Sequence, residues 1–370
     1  MTLFQAIYQK PLNFGADLVG IVQAGEAKTF SHYCNWLKQG NQASMNYLEK
    51  NLVARQNPCS ILSNVRSMII IAVSMNEIAK ATNEIRSNKQ FYNPEFLTSR
   101  QKSNEHWGKV LFYGAQLDYH IVIRQKLSLL KNWILSQLPK IDARVVVDTA
   151  PLLEKEWASR AGLGFIGRNS LLIHPKFGSR LFLGTLLLSA SIDELRSTPV
   201  KNKTLQKAKP APPNDFVITD PKMSNASTSL SNYCSDNLIK IDDSPIFGID
   251  SDIGCGKCRR CLDNCPTDAI LENKTIDARR CLNYWTIEHK SDEIPKEIRV
   301  KLKDRLFGCD LCQQVCPWNR FEQKWQPIPF NLTEIQKMSD SEFQENFGKT
   351  PISRIKRIGL QRNAQWLEDC

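Results

Sequence analysis

A chain of 370 residues with a net charge of +11 is long enough for two domains, or for one large domain with a small insert, and its basic surface suits a polyanion such as nucleic acid as well as plain solvation. Its longest apolar runs, at 68–73 and 181–190, are too short to span a bilayer, and the N-terminus shows neither a charged start before an apolar core nor a twin-arginine pair. The expectation is a cytoplasmic protein with reduced thiols and no membrane partner.

Residues 1–50 read as mostly helical, with FGADLVG at 14–20 punctuating two periodic segments. Trp36, Met45, Tyr47 and Leu48 fall at spacings that suit one buried helix face. Residues 55–58 form a turn, and SMIIIAVS at 67–74 is a buried strand. The polar stretch 76–104 reads as a surface loop, and 110–138 as a helix or two. Within it lies Asp118-Tyr119-His120. Ligation of cobalamin cobalt through His goes with Asp-x-His-x-x-Gly, but here the sixth position is Ile123. A histidine anchored by a neighbouring carboxylate is the simpler reading.

Residues 144–148 form another strand, which ends in Asp148. Pro151 fits the first turn of a helix over 152–161, with an apolar face at Trp157 and Ala158, and Gly162 and Gly164 close it. Asp148 thus stands at a strand's carboxyl end, the edge where open α/β sheets place their chemistry, although an Asp there is often a helix cap. The glycines of GLGFIGRNS at 162–170 permit close backbone approach to a ligand, but spacing and position rule out a dinucleotide fingerprint. Residues 171–174 and 180–188 read as strands joined by a hairpin at 175–178. From 191 to 252 the chain turns Lys-, Pro- and Ser/Asn-rich with little periodicity, a disordered insert.

Eight of the twelve cysteines then fall between 255 and 316. C-G-K-C-R-R-C-L-D-N-C-P at 255–266 is the bacterial ferredoxin run, whose fourth Cys serves the other cluster. The second run, C-D-L-C-Q-Q-V-C-P at 309–317, lacks its first ligand, because Leu306 holds that position; Cys281 is the substitute. Cys255, Cys258, Cys261 and Cys316 then hold one 4Fe–4S cluster. Cys265, Cys281, Cys309 and Cys312 hold the second, and no cysteine in the stretch is left over. A zinc ribbon wants two paired knuckles across a longer loop, and disulfide frameworks belong to small secreted chains. Cys34, Cys59, Cys234 and Cys370 read as plain free thiols. Two adjacent clusters form a one-electron wire, so another part of the chain must consume electrons. Residues 318–370 are polar and helical in places, and the basic IKRIGLQRN at 355–363 reads as a phosphate contact or an exposed helix.

DTAPLLE at 148–154, AGLGFIGRNS at 161–170 and GCDLCQQVCPWN at 308–319 together resemble the epoxyqueuosine reductases. Weaker matches run from 14–20 through Arg55, 67–74 and 118–120 to 359–363, so only 76–104 and 191–252 stand outside the resemblance. The fold it implies is α+β. A nitroreductase-like, cobalamin-binding α/β domain at 1–190 precedes a linker insert at 191–252. A two-cluster ferredoxin-like module at 253–325 and a short helical tail at 326–370 follow, where relatives continue into helical repeats. The implied activity is cobalamin-dependent reduction of epoxyqueuosine to queuosine at the wobble position of tRNA. The partners implied are that tRNA and an external low-potential donor of flavodoxin or ferredoxin type, acting on a monomer. Asp148 is the implied proton donor, which calls for a pKa raised by burial against the corrin. Arg55, Tyr113, Leu172, Leu183, Asn283, Tyr284, Asp310 and Gln313 are the implied neighbours of the corrin or its nucleotide tail. Arg168 and Ser170 stand where the family usually has Lys and Thr, and both keep hydrogen-bond donors. Two rivals remain: a reductive-dehalogenase-like corrinoid iron–sulfur enzyme, against which Asp148 argues, and a ferredoxin-type electron-transfer subunit, which leaves the first 190 residues without a purpose.

Overall fold

The computed structural model describes residues 1–87, 106–201, 254–319 and 325–369. Its strands, in chain order, are β1 (Leu18–Gln23), β2 (Ser67–Ser74), β3 (Trp107–Val110), β4 (Ala143–Val146), β5 (Phe165–Ile166), β6 (Leu172–Ile173), β7 (Leu181–Leu188), β8 (Arg305–Phe307) and β9 (Ile328–Asn331). The main sheet runs β1-β2-β7-β4 and every pairing in it is antiparallel. All eight residues of β2 are buried, which explains its unbroken apolar run. Ile69, Ile71 and Val73 face one core, and Met68, Ile70 and Ala72 face another, as the two-residue period of a strand requires.

The first core collects Leu3, Ala6 and Ile7 of helix Leu3–Asn13 with Ile123, Leu127, Leu130 and Ile134 of helix Tyr119–Gln137. It also takes in Leu332, Ile335, Phe343, Phe347, Leu360 and Ala364 from beyond residue 331. The second core packs Phe30, Cys34 and Leu37 of helix Phe30–Lys38 and Trp157 and Ala158 of helix Glu154–Arg160 on the other sheet face.

Several expectations change. The mostly helical first fifty residues include strand β1, whose Leu-Val-Gly-Ile-Val-Gln pairs residue for residue with β2. The surface loop opens instead as helix Met75–Ser87, and residues 88–105 lie outside those described. Helix Ile192–Ser197, with a Ser191–Glu194 capping box, begins the stretch expected to be disordered; residues 202–253 also lie outside those described. The hairpin is only partly formed: β6 pairs with β5, and across the turn there is one bridge, His174 to Gly178. Trp36 lies on a helix, whereas Tyr47 sits in the separate short turn Asn46–Glu49 and is 53% exposed. The sheet is antiparallel, so the rule for parallel sheets does not explain where Asp148 stands.

The tail is not purely helical. β9 pairs antiparallel with β3, which also pairs in parallel with β8, the strand leading to Cys309. In helix Lys356–Glu368, Arg362 donates to the His289 carbonyl (2.6 Å), and Asn363 Nδ2 donates to the carbonyls of Thr286 (2.8 Å) and Leu306 (3.0 Å). Both residues are buried, so this part of the basic run is structural rather than an exposed helix.

Gly184 sets how closely helix Tyr119–Gln137 lies on β7. A Cβ there would stand 2.3 Å from Ile123 Cγ2 and 2.9 Å from Leu127 Cδ1. Gly184→Ala should therefore cost about 1–3 kcal/mol by overpacking, read as a lower denaturant midpoint.

Candidate active site

Asp118 caps helix Tyr119–Gln137, its Oδ1 accepting from the His120 backbone N–H (2.9 Å). The same oxygen lies 2.9 Å from His120 Nδ1. The other ring nitrogen, Nε2, lies 3.2 Å from Asp148 Oδ2. Asp148 follows β4 with φ +45°, a left-handed conformation that Asp tolerates better than most side chains. Tyr119, stacked on Phe182 with ring centres 4.4 Å apart, donates its hydroxyl to Asp148 Oδ2 (3.1 Å).

Arg354, from the short turn Pro351–Ile355, closes the group. Nη1 donates to Asp148 Oδ2 (3.4 Å), and Nη2 stands 3.5 Å from Asp118 Oδ2 and 2.9 Å from His120 Nε2, with His120 Nδ1 also in contact. The guanidinium carbon lies 5.4 Å over the Tyr119 ring.

Opposing influences act on the Asp148 carboxyl. Burial pushes the Asp148 carboxyl up, but the hydrogen bond and charge of His120, the charge of Arg354 and the Tyr119 hydroxyl outweigh it and bring it down to about 2. In the open cleft these neighbours favour the Asp148 carboxylate; the rise expected of it belongs to burial against the corrin. Desolvation acts on it although its side chain is 40% exposed, the combination expected on the floor of a cleft. His120 is held above its usual value: burial opposes its charge, but the bonds to Asp118 and Asp148 prevail against burial and Arg354. Glu154, of the same DTAPLLE segment, is pushed up to about 7 by burial and by the Asp148 charge. Burial likewise raises the Tyr47 and Tyr113 hydroxyls; the charges of Asp148 and Glu288 act on both, and that of Arg55 on Tyr47.

Asp148, Tyr113 and Arg55 thus belong to one electrostatic neighbourhood. Arg55 lies over the Tyr33 ring at 5.4 Å. Leu172 and Leu183 are buried in the second core. Tyr284 is buried with its hydroxyl on Ser44 Oγ (2.7 Å). Asn283, Asp310 and Gln313 lie at the cysteine-rich module: Asn283 Oδ1 accepts from the Cys309 N–H (3.2 Å), Asp310 pairs with Arg180 (3.4 Å), and Gln313 accepts from Ser179 Oγ (3.1 Å). Arg168 donates to the Gly256 carbonyl (3.1 Å), and Ser170 Oγ contacts the Lys274 carbonyl.

The sequence reading missed Tyr119, Arg354 and the Tyr47–Glu288 hydrogen bond (3.4 Å). Arg354 stands one residue before the basic run singled out in the tail, but nothing local shows that it reaches a carboxylate 206 positions away. A cavity lined by Trp285, His289, Arg362 and Trp366 holds none of the Asp148 group.

None of the ten described cysteines is in a disulfide; Cys34 is buried and Cys59 exposed, while Cys234 and Cys370 lie outside the described residues. Burial pushes Cys261 up to about 11, helped by Cys255 and Cys316, and raises Cys316, helped by Cys255 and Cys258. Burial also raises Cys281, with Cys265 adding to it, and takes Cys309 to about 11, with Cys281 adding to it. Cys312 feels Cys309, Cys281, Cys261 and Cys265, so the two sets approach each other there. Backbone donors point at two of the sulfurs: Arg168 N–H to Cys255 Sγ (3.4 Å) and Ala269 N–H to Cys265 Sγ (3.3 Å). Crowded thiols of this kind suit a positively charged metal centre, which deprotonates its ligands. Among the described residues no three Cys, His, Asp or Glu side chains converge as the ligands of a single ion do.

Residues 254–319 match the family model of a 4Fe-4S double cluster binding domain, and residues 55–149 match the one described as Epoxyqueuosine reductase QueG, DUF1730. The epoxyqueuosine reductase of Synechocystis sp. is 31% identical over 341 residues, which cover 90% of this chain and 92% of that one. The chain belongs to the epoxyqueuosine reductase family. It is therefore an oxidoreductase with a double 4Fe–4S binding domain. The α+β fold agrees with the solved epoxyqueuosine reductase of Streptococcus thermophilus, 26% identical, with a TM-score of 0.70 over 98% of this chain and 80% of that one. Another solved epoxyqueuosine reductase, 23% identical with a TM-score of 0.69 over 99% of this chain and 80% of that one, carries an epoxyqueuosine-modified tRNA-Tyr stem loop.

Because the Arg354 charge helps hold Asp148 ionised, Arg354→Ala should move the Asp148 carboxyl up from about 2, read by carboxyl 13C NMR with Asp148→Asn as the assignment control. The stability due to Asp148 is complete above the unfolded carboxylate value of about 3.9 and is lost as pH falls through the folded value. The acid loss of stability over that window should therefore be smaller in Arg354→Ala than in the wild type, measured by denaturant unfolding at a series of pH values.

Proposed function

We propose that this chain reduces epoxyqueuosine to queuosine at the wobble position of tRNA, with cobalamin bound over Asp148 and electrons arriving through two 4Fe–4S clusters. The observation that carries the reading is the exposed Asp148 carboxylate, held by Tyr119, His120 and Arg354 in a chain that also carries a double-cluster domain. Turning the epoxide into an alkene consumes two electrons and two protons and releases water. When bound, the clusters supply single electrons and cobalamin supplies the low-valent centre that no side chain can provide.

The residues fit such a cofactor. Arg55 Nε, Arg168 Nε and Asn169 Nδ2 are buried without a hydrogen-bond partner, as donors awaiting the amides or phosphate of a large polar ligand are. Cys255, Cys258, Cys261 and Cys316 would hold one cluster, and Cys265, Cys281, Cys309 and Cys312 the other. Asp310 and Gln313, bonded to Arg180 and Ser179, fasten that module beside the start of β7.

Asp148 gives its proton to the departing oxygen. It starts as a carboxylate; covering the cleft removes its exposed surface from water and pushes its pKa upward, so that it takes up the proton it then delivers. The net charge of +11 suits the tRNA polyanion. The reading also includes a low-potential donor of flavodoxin or ferredoxin type and a monomer working in the cytoplasm; no helix among the described residues is long and apolar enough to cross a membrane. A ferredoxin-type subunit with no chemistry of its own would leave the Asp148 group idle.

In an anaerobic assay with epoxyqueuosine-containing tRNA, cobalamin and a low-potential reductant, read by nucleoside mass analysis, Asp148→Asn should lose about 10²–10⁴-fold in rate while still binding cobalamin. Near-normal turnover in that variant would remove Asp148 from the donor role. Cys281→Ser should lose one of the two clusters and keep the other, seen as a halved iron content and one remaining EPR signal.

A further inference from the structure

We infer that His120 stores the proton that Asp148 passes to the substrate oxygen, so that Asp118, His120 and Asp148 act as one proton-supply chain; this rests on the proposed donor role of Asp148. Both ring nitrogens of His120 face carboxylate oxygens, Nδ1 at 2.9 Å from Asp118 and Nε2 at 3.2 Å from Asp148. Carboxylates only accept, so both of these bonds are made only when both nitrogens carry protons, whereas Arg354 Nη2, which only donates, lies 2.9 Å from Nε2 and is accepted there only when that nitrogen has lost its proton. The ring cannot turn away cheaply, because Asp118 Oδ1 also caps the helix through the His120 backbone N–H.

The three donors on Asp148 all converge on Oδ2: Tyr119 Oη, His120 Nε2 and Arg354 Nη1. No donor among the described residues reaches Oδ1, which leaves that oxygen to the substrate. The carboxylate therefore has a supply side and a delivery side.

The charged and titratable groups around His120 come from three elements. Asp118 and Tyr119 belong to its own helix, Asp148 and, behind it, Glu154 follow β4, and Arg354 comes from the tail. Asp118 and Asp148 favour the imidazolium, while Arg354, in contact with the same ring, opposes it. Opposed charges of this kind let the ring release a proton when Asp148 needs one, where two carboxylates alone would hold it.

The step balances. The Nε2–H bond of His120 breaks and an O–H bond forms on Asp148. The carboxylic acid then gives a proton to the departing oxygen and is a carboxylate again. His120 ends neutral and takes a proton from water before the next turnover. No electron moves in this transfer. His120 is thus a positioning residue that acts through Asp148.

The test uses the holoenzyme, with single-turnover rates on modified tRNA across pH and an NMR titration of the His120 ring 13Cε1, assigned with His120→Gln. The wild-type rate should fall as pH rises through the ring's own midpoint. His120→Gln should lose that limb and run slower by on the order of 10–10²-fold, the lower part of the general-acid range. Asp118→Asn keeps the helix cap but removes one carboxylate from the ring. It should move both the ring midpoint and the rate limb to lower pH together. If His120→Gln keeps the wild-type limb, or Asp118→Asn shifts neither readout, the proton store is not His120, even where Asp148→Asn is inactive. If instead Asp148→Asn turns over normally, it is the donor reading that fails.

Discussion

The site depends on one oxygen atom. Asp118 Oδ1 accepts from the backbone of His120, which starts helix Tyr119–Gln137, and holds the His120 ring against Asp148. An N-cap of this kind is ordinarily worth about 1 kcal/mol of helix stability. Here it also fixes the direction of a buried side chain. The helix cannot shift along the sheet to relax the arrangement, because Ile123 and Leu127 press on Gly184 of β7. Core packing and site geometry are therefore the same constraint seen from two ends.

The second constraint is the return of the chain. β9 lies on β3, β3 lies beside β8, and Asn363 ties the Thr286 and Leu306 carbonyls together. Unpaired backbone carbonyls in that interior would be costly, and the Asn363 amide satisfies two at once. The same return carries Arg354 to Asp148. The cysteine-rich module is held from the other side as well: Trp36 Nε1 donates to the Ile276 carbonyl (2.7 Å), and Arg180 pairs with Asp310 where both are nearly buried. A buried ion pair adds little net stability, but removing one partner strands the other charge, so the Arg180–Asp310 pair favours one docked position.

For the donor role proposed for it, an ionised Asp148 looks at first like a poor acid. Its neighbours explain the choice. A carboxylate with Tyr119, His120 and Arg354 on one oxygen is fixed in direction before any substrate arrives, and fixed direction is what proton transfer requires. The affinity for the proton then depends on what covers the open side of the cleft.

The sequence by itself determined the parts whose chemistry is local. The cysteine spacing announces iron–sulfur ligation because each run gathers several thiolates in one tight loop and lends one to the other cluster. The apolar run of β2 announces a strand buried on both faces, and DTAPLLE marks Asp148. Only the tertiary structure decided which side chains meet Asp148. Arg354 lies 206 positions away, Tyr119 looks like any helix aromatic, and β1 was hidden in a segment with helical periodicity. Short strands such as β1 and β9 exist because partners elsewhere in the chain satisfy their backbone, and no local pattern records those partners. The ionisation of Asp148 is likewise a property of the assembled neighbourhood, since groups contributed from two distant segments set it.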